Sequence, residues 1–351
     1  LAQSSELSAG GNLSLNAGKD ISVKGSQAQA GGSLDVNAGG DINILSDKTT
    51  NKSQLDAQGN GSSVSNTREE DSLMLSTLSG NKGVSLNAGN NLVAEGAQVD
   101  SQAGKISVSA QDVTIKAATQ DTYALDQEHT RNGSNKGSRV DETSSHEVVG
   151  STFSGQNGVD ITARDKDITV TGSTIHSEKG EITLDAKQNV TLNTATEENK
   201  KTVEEQRSSK GFLSASSEHT LQHDETTREK GSLLSGEKVT INAGNDLTVK
   251  GSSVVAENDV SLTAGNNVDI TAATETDSHY LLEEKKKSGL MSSGGIGFSV
   301  GKQSSRHEVD EKGTTQSQSV STIGSTQGNV NITAGNKLHV GGADLIAQKD
   351  L

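Results

Sequence analysis

The sequence has no cysteine, no proline and no tryptophan, and aromatic residues make up only 1% of it. Without cysteine there can be neither disulfides nor thiolate metal ligands, which also suits a chain that stays unfolded while it crosses a membrane. Without proline nearly every amide is free to donate, as a chain committed to sheet ladders requires. Hydrophobic residues reach 29%, well below the usual share, so a thick core of interlocked large side chains is excluded. No apolar run approaches the ~20 residues of a spanning helix or the core of a signal peptide. The chain opens on Leu1 rather than Met, so it reads as an internal stretch whose export signals are expected elsewhere. Basic residues are outnumbered, 31 against 46 acidic, for a net charge of −15. Such a balance repels a nucleic-acid backbone or an anionic lipid surface at long range, and no nucleic-acid partner is expected.

What is present is a repeat. Residues 11–31 read GNLSLNAGKDISVKGSQAQAG, and related blocks begin at 32, 83, 104, 158, 180, 238, 259 and 329. The period is roughly 21 to 23 residues, the signature of a stacked architecture rather than of disorder, which the low apolar content alone would also have fitted. Inside a block the apolar residues alternate, as at Leu13, Leu15 and Ala17, then Ile21 and Val23, then Ala28 and Ala30. Period-two alternation argues half-buried strands, and Gly with Asp, Asn or Lys between them suits tight corners. Each block is three short strands, and one such turn cannot bury its inner face alone. Stacking about nine turns in parallel, ~4.8 Å apart, gives an all-β, right-handed parallel β-helix roughly 43 Å long. Leu13, Leu15, Leu86, Ile182, Leu184, Ile241, Leu262 and Ile332 are expected inside, and Asn16, Asn37, Asn87 and Asn242 outside in a short hydrogen-bonded ladder.

Alternate blocks break off after their second strand, and the third strand returns only later, as in LSTLSGNKG (75–83), GSTFSGQNG (150–158) and GSLLSGEK (231–238). The whole of 1–351 is thus read as one β-helix fragment with hairpin arms at about 46–77, 118–151, 195–232 and 274–321, all leaving one corner. A hairpin is two strands wide, about 9.6 Å, which is also the advance of two turns, so successive arms are expected to pair edge to edge. Their tips fall near Gly59, Gly133 and Gly211.

The block xLxLxAGxDLxVxGSxLxA, paired and then interrupted by a charged arm, resembles the filamentous-haemagglutinin type of repeat. The stretch KKKSGLMSSGGIGFSVGKQ (285–303), followed by GNVNITAGNKLHVGGADLIA (328–347), resembles the second, distal repeat region of two-partner-secretion exoproteins, including those of contact-dependent growth inhibition. The resemblance implies a filament that an outer-membrane partner barrel exports to the surface of a Gram-negative cell, with the periplasm as a stage before deployment. It also implies help in carrying a C-terminal toxin across a target cell's envelope. The other reading is a passive adhesin shaft.

Candidate chemistry is sparse. His219 and His223, four apart beside Asp224 and Glu225, would share one face of a strand, but no spacing fixes a third ligand and no metal or cofactor is expected. Carboxylate pairs such as Glu204 and Glu205 are plentiful, yet no departure from the repeat marks a cleft, so neither an enzyme nor a small-molecule substrate is expected. Corner residues Asp20, Asp41, Asp246 and Asp269 invite calcium, but the period is wrong for a calcium-binding roll. In the fourth arm Leu290 is followed by Ser292 and Ser293, and then Ile296, Phe298 and Val300 alternate with Gly297, Ser299 and Gly301. Such alternation gives one apolar face, as in lipid-facing strands, and Phe212 and Leu213 repeat it faintly in the third arm. These six apolar residues are the candidate membrane- or partner-contacting set. The plainer expectation is that they cover the neighbouring arm or the rod.

Overall fold

A computed structural model describes residues 3–292 and 298–351. The chain winds into a right-handed parallel β-helix whose three faces are sheets of nine, nine and ten strands, every neighbouring pair parallel. Strand Leu13–Ala17 starts the first face, Ile21–Lys24 the second and Gln27–Ala30 continues the third. Stacking is in strict register: Leu15 lies against Val36, Val36 against Leu86, and Leu86 against Val108. The column continues through Ile161, Leu184, Ile241 and Leu262 to Ile332. Small Ala residues (Ala163, Ala186, Ala243, Ala264) form the next column, filling the narrow corner where a larger side chain would not fit.

Of the residues expected inside, Leu86, Ile182, Leu184, Ile241 and Leu262 are fully buried. Leu13, Leu15 and Ile332 pack on the same core but stay half-buried, because they belong to its terminal turns. The short Asn ladder forms, but without Asn242. Asn37 Nδ2 donates to Asn16 Oδ1 at 3.0 Å and Asn87 Nδ2 to Asn37 Oδ1 at 2.9 Å. Ser109 then follows in that column, and Asn242 stands between Asp185 and Thr263 with no Asn above or below it.

Asp20, Asp41 and Asp246 sit at corners and serve the ladder, whereas Asp269, expected at a corner, lies inside strand Asn267–Thr271, its Oδ1 2.6 Å from His339 Nδ1. The amide of Asp41 donates to Asp20 Oδ1 at 2.8 Å, that of Asn91 to Asp41 Oδ1 at 2.9 Å, and that of Asn267 to Asp246 Oδ1 at 3.0 Å. Each side chain thereby carries parallel hydrogen bonding through a turn where the strand pairing lapses. The neighbouring glycine is needed for close approach, since a Cβ on Gly39 would lie 2.3 Å from the carbonyl oxygen of Gly18.

Four hairpins leave the corner between the second and third faces. Their limbs are Asp47–Gly59 with Ser62–Met74, Ala118–Asn132 with Asn135–Val149, Ala195–Lys210 with Ser214–Lys230, and Ala273–Ser292 with Phe298–Ser319. They form one eight-stranded antiparallel sheet. Adjacent arms pair directly: Thr122 opposes Glu70 across the first seam, Ser138 opposes Gln206 across the second, and His223 opposes Tyr280 across the third. Between arms, the uninterrupted turns round the same corner on glycine, with Gly25, Gly96, Gly172 and Gly251 at φ between 54° and 57°.

Candidate functional site

Each arm is closed at its neck by a serine. Ser76 Oγ donates to the carbonyl of Leu45 at 2.6 Å, Ser151 to Lys116 at 2.7 Å, Ser232 to Asn193 at 2.8 Å and Ser321 to Thr271 at 2.7 Å. In every case the bond joins the residues on either side of the arm, so a long insertion is reduced to a fixed corner. The same hydroxyls accept amides from the neighbouring turn, as from Ala97 to Ser151 and from Ser252 to Ser321. This buried serine column was missed in the sequence, although every returning motif carries a Ser at that place.

The limbs are polar on both faces, and ion pairs cross each seam. Arg68 makes a two-pronged pair with Asp126 at 2.8 Å, Arg139 meets Glu205 at 2.5 Å, and Lys285 meets Glu218 at 3.0 Å. His279 and Asp224 also join across the third seam. Hydrogen bonds from Arg68 hold the Asp126 carboxyl below its ordinary range, and those from Lys200 do the same for Glu198. Asp71 is lowered by the Thr50 hydroxyl, with the Asp121 amide adding to it. Burial pushes Asp224 upward, but hydrogen bonds from His279 and Gln222 outweigh it and leave the carboxyl lowered. Exposed pairs of this kind contribute little each, yet together they select which limb lies beside which.

His219 and His223 do share one face, as their spacing requires, and both are already engaged. His219 Nε2 lies 2.9 Å from Glu204 Oε1, and His223 Nδ1 lies 2.8 Å from Thr202 Oγ1. Among the described residues no group of three or more His, Asp or Glu side chains could hold a metal ion.

The candidate apolar residues sit at the ends of the third and fourth arms. Phe212 is 99% exposed and Val300 82%, with Leu213 at 56% and Leu290 at 39%. Phe212 and Val300 therefore stand largely in solvent, whereas Leu213 and Leu290 are part-covered where the two arms meet, the Leu290 amide donating to the Leu213 carbonyl at 2.9 Å. Leu290 and Val300 are cross-strand partners, and Phe298 enters as backbone opposite Ser292. Ile296 lies outside the described residues.

Models of the "Hemagglutinin repeat" family match residues 1–65, 132–216 and 213–350. Among curated proteins, the chain is similar to a 16S rRNA endonuclease CdiA of Enterobacter cloacae, 43% identical over 49% of this chain and 5% of that protein. It is also similar to a toxin CdiA of Escherichia coli, 46% identical over 46% of this chain and 5% of that protein. A tRNA nuclease CdiA-2 of Burkholderia pseudomallei is 32% identical over 76% of this chain and 8% of that protein. The chain thus spans a small part of the length of these relatives, and the activities in their names are said of them. No solved structure matches.

Proposed function

Because the chain belongs to the hemagglutinin-repeat family, we propose that it is a stretch of the rod of a large, secreted, toxin-bearing surface exoprotein of a Gram-negative bacterium. Its arms meet the envelope of a target cell and help the toxin across. Export would run through an outer-membrane partner barrel engaged by a region outside this chain. The observation that carries the reading is the exposure of Phe212, Leu213, Leu290 and Val300 at the arm ends. A passive shaft has no use for apolar side chains held out in water on a cross-linked sheet, whereas a surface that meets lipid or protein has.

Entry of the arms into a bilayer would require the limbs to re-pair into a closed form, since an open sheet edge is too costly in lipid. The test is to replace Phe212, Leu213, Leu290 and Val300 together with Ser in the full exoprotein and to measure export, attachment and toxin delivery separately. Delivery should fall with export and attachment intact. Unchanged delivery would leave the segment as a shaft.

A further inference from the structure

The net charge of −15 is unevenly spread. Segments 57–64, 129–138, 206–217 and 285–304, at the four arm ends, hold eight Lys and Arg and no Asp or Glu. The rest of the chain is correspondingly more acidic, so the repulsion expected from the mean charge does not describe the tips. Register brings the cations together. Lys286, Ser217, Ser208, Lys136 and Arg131 are successive cross-strand partners in one row, spanning the fourth, third and second arms on a single face. Lys287, Ser216 and Ser209 form the next row on the opposite face.

Arg131 and Lys136 oppose each other directly across their hairpin. Like charges in that position destabilise a sheet, so the arrangement costs the free protein stability that a bound anion would restore. Acid returns directly beside these ends, at Asp56, Glu128, Glu205, Glu218 and Glu284, and takes up part of the charge: Arg207 pairs with Glu205 at 3.5 Å, Lys285 with Glu218 at 3.0 Å and Lys286 with Glu284 at 3.7 Å. Serine hydroxyls together with the Arg131 guanidinium and the Lys136 ammonium, which face each other across their hairpin, are a donor set that suits phosphate oxygens. Beside them Phe212 and Val300 stand in solvent. Cations flanking exposed apolar side chains at the end of a projecting element are the composition of an interfacial membrane contact.

We infer that the arm ends form a docking surface for the phosphate-bearing face of an anionic lipid membrane, with the cations on the headgroups and the apolar side chains in the acyl boundary. This rests on the reading that the arms meet the target envelope, and it names the chemistry they meet there. The 351-residue chain should adsorb to vesicles of phosphatidylcholine with phosphatidylglycerol, weakly or not at all to phosphatidylcholine alone, and should be released by high salt. Replacing Arg131, Lys136 and Lys286 with Ser, all exposed positions, should weaken adsorption by about a hundred-fold. Phe212→Ser with Val300→Ser should weaken it several-fold while leaving the salt dependence. Equal binding to neutral vesicles, an unaffected triple variant, or equally tight binding of a short DNA duplex would each overturn the inference. Absence of vesicle binding together with loss of delivery in the tip variants would remove only the lipid partner. Vesicle binding with delivery untouched would remove only the delivery role.

Discussion

Gly172 turns its corner at φ 55°, and a Cβ there would lie 2.6 Å from the Cβ of Ala195, the first residue of the third arm. The glycine therefore makes room for the neighbouring arm as well as for its own backbone. Gly172→Ala should cost about 1–3 kcal/mol in urea unfolding, whereas Gly18→Ala, with nothing within 4 Å, should be close to neutral. The neck serines are the second residue-level dependence. Ser151 is buried, donates to Lys116 and accepts from Ala97. Its replacement by Ala leaves both backbone groups without that partner and should cost about 1–3 kcal/mol. A loss below a few tenths of a kcal/mol would show that water replaces the hydroxyl. The corner glycines precede Ser at Gly25, Gly172 and Gly251 but Ala at Gly96, and the sequence marked only the other corner, where Gly stands with Asp, Asn or Lys. The role of the neck Ser was not legible either, since the carbonyl it meets lies 35 residues away in the chain.

At the scale of elements, the rod strands and the arm limbs are held by different forces. Rod strands bury Leu, Ile and Val on one face, with Phe153 the one aromatic among the core residues, stacked between Val99 and Ile175. Phe153→Ala should cost about 3–5 kcal/mol, read by thermal or urea unfolding. The limbs depend on ladder hydrogen bonds and charge pairs, so acid should loosen them first. Asp71, Asp126, Glu198 and Asp224 have lowered pKa values in the folded chain. A lowered carboxylate contributes stability that is present above its unfolded value, near 4, and lost as pH falls through the folded value. Hydrogen exchange at pH 7 and near pH 3, corrected for intrinsic rates, should show limb amides losing more protection than rod amides. Equal losses would contradict the distinction. The strands themselves were readable from period-two alternation, whereas the seams were not. Arg68 and Asp126 look unrelated in sequence until the pairing of Ala124 with Arg68 sets the register. Asn242 erred in the other direction, because the motif INAG was intact while its neighbours in the stack were Asp185 and Thr263.

For the whole molecule, the decisive relation is the match between two rod turns and one hairpin width, which lets a helical rod carry a second sheet beside it. That match was visible in the sequence as the alternation of long and short blocks. The segregation of charge was not, because a net value of −15 averages acidic limbs with basic ends. If the arms are one sheet, their ends are presented as a row, and both the delivery role and the lipid contact depend on that row. Ser138 and Gln206 are direct cross-strand partners on the second and third arms, and the chain has no cysteine of its own. Replacing both with Cys and measuring intramolecular disulfide formation under mild oxidation tests the claim most directly. Rapid, near-complete cross-linking is expected, with unfolding no easier than in the parent chain. A pair that stays reduced, or closes only with loss of the fold, would contradict it and return the arms to independent hairpins.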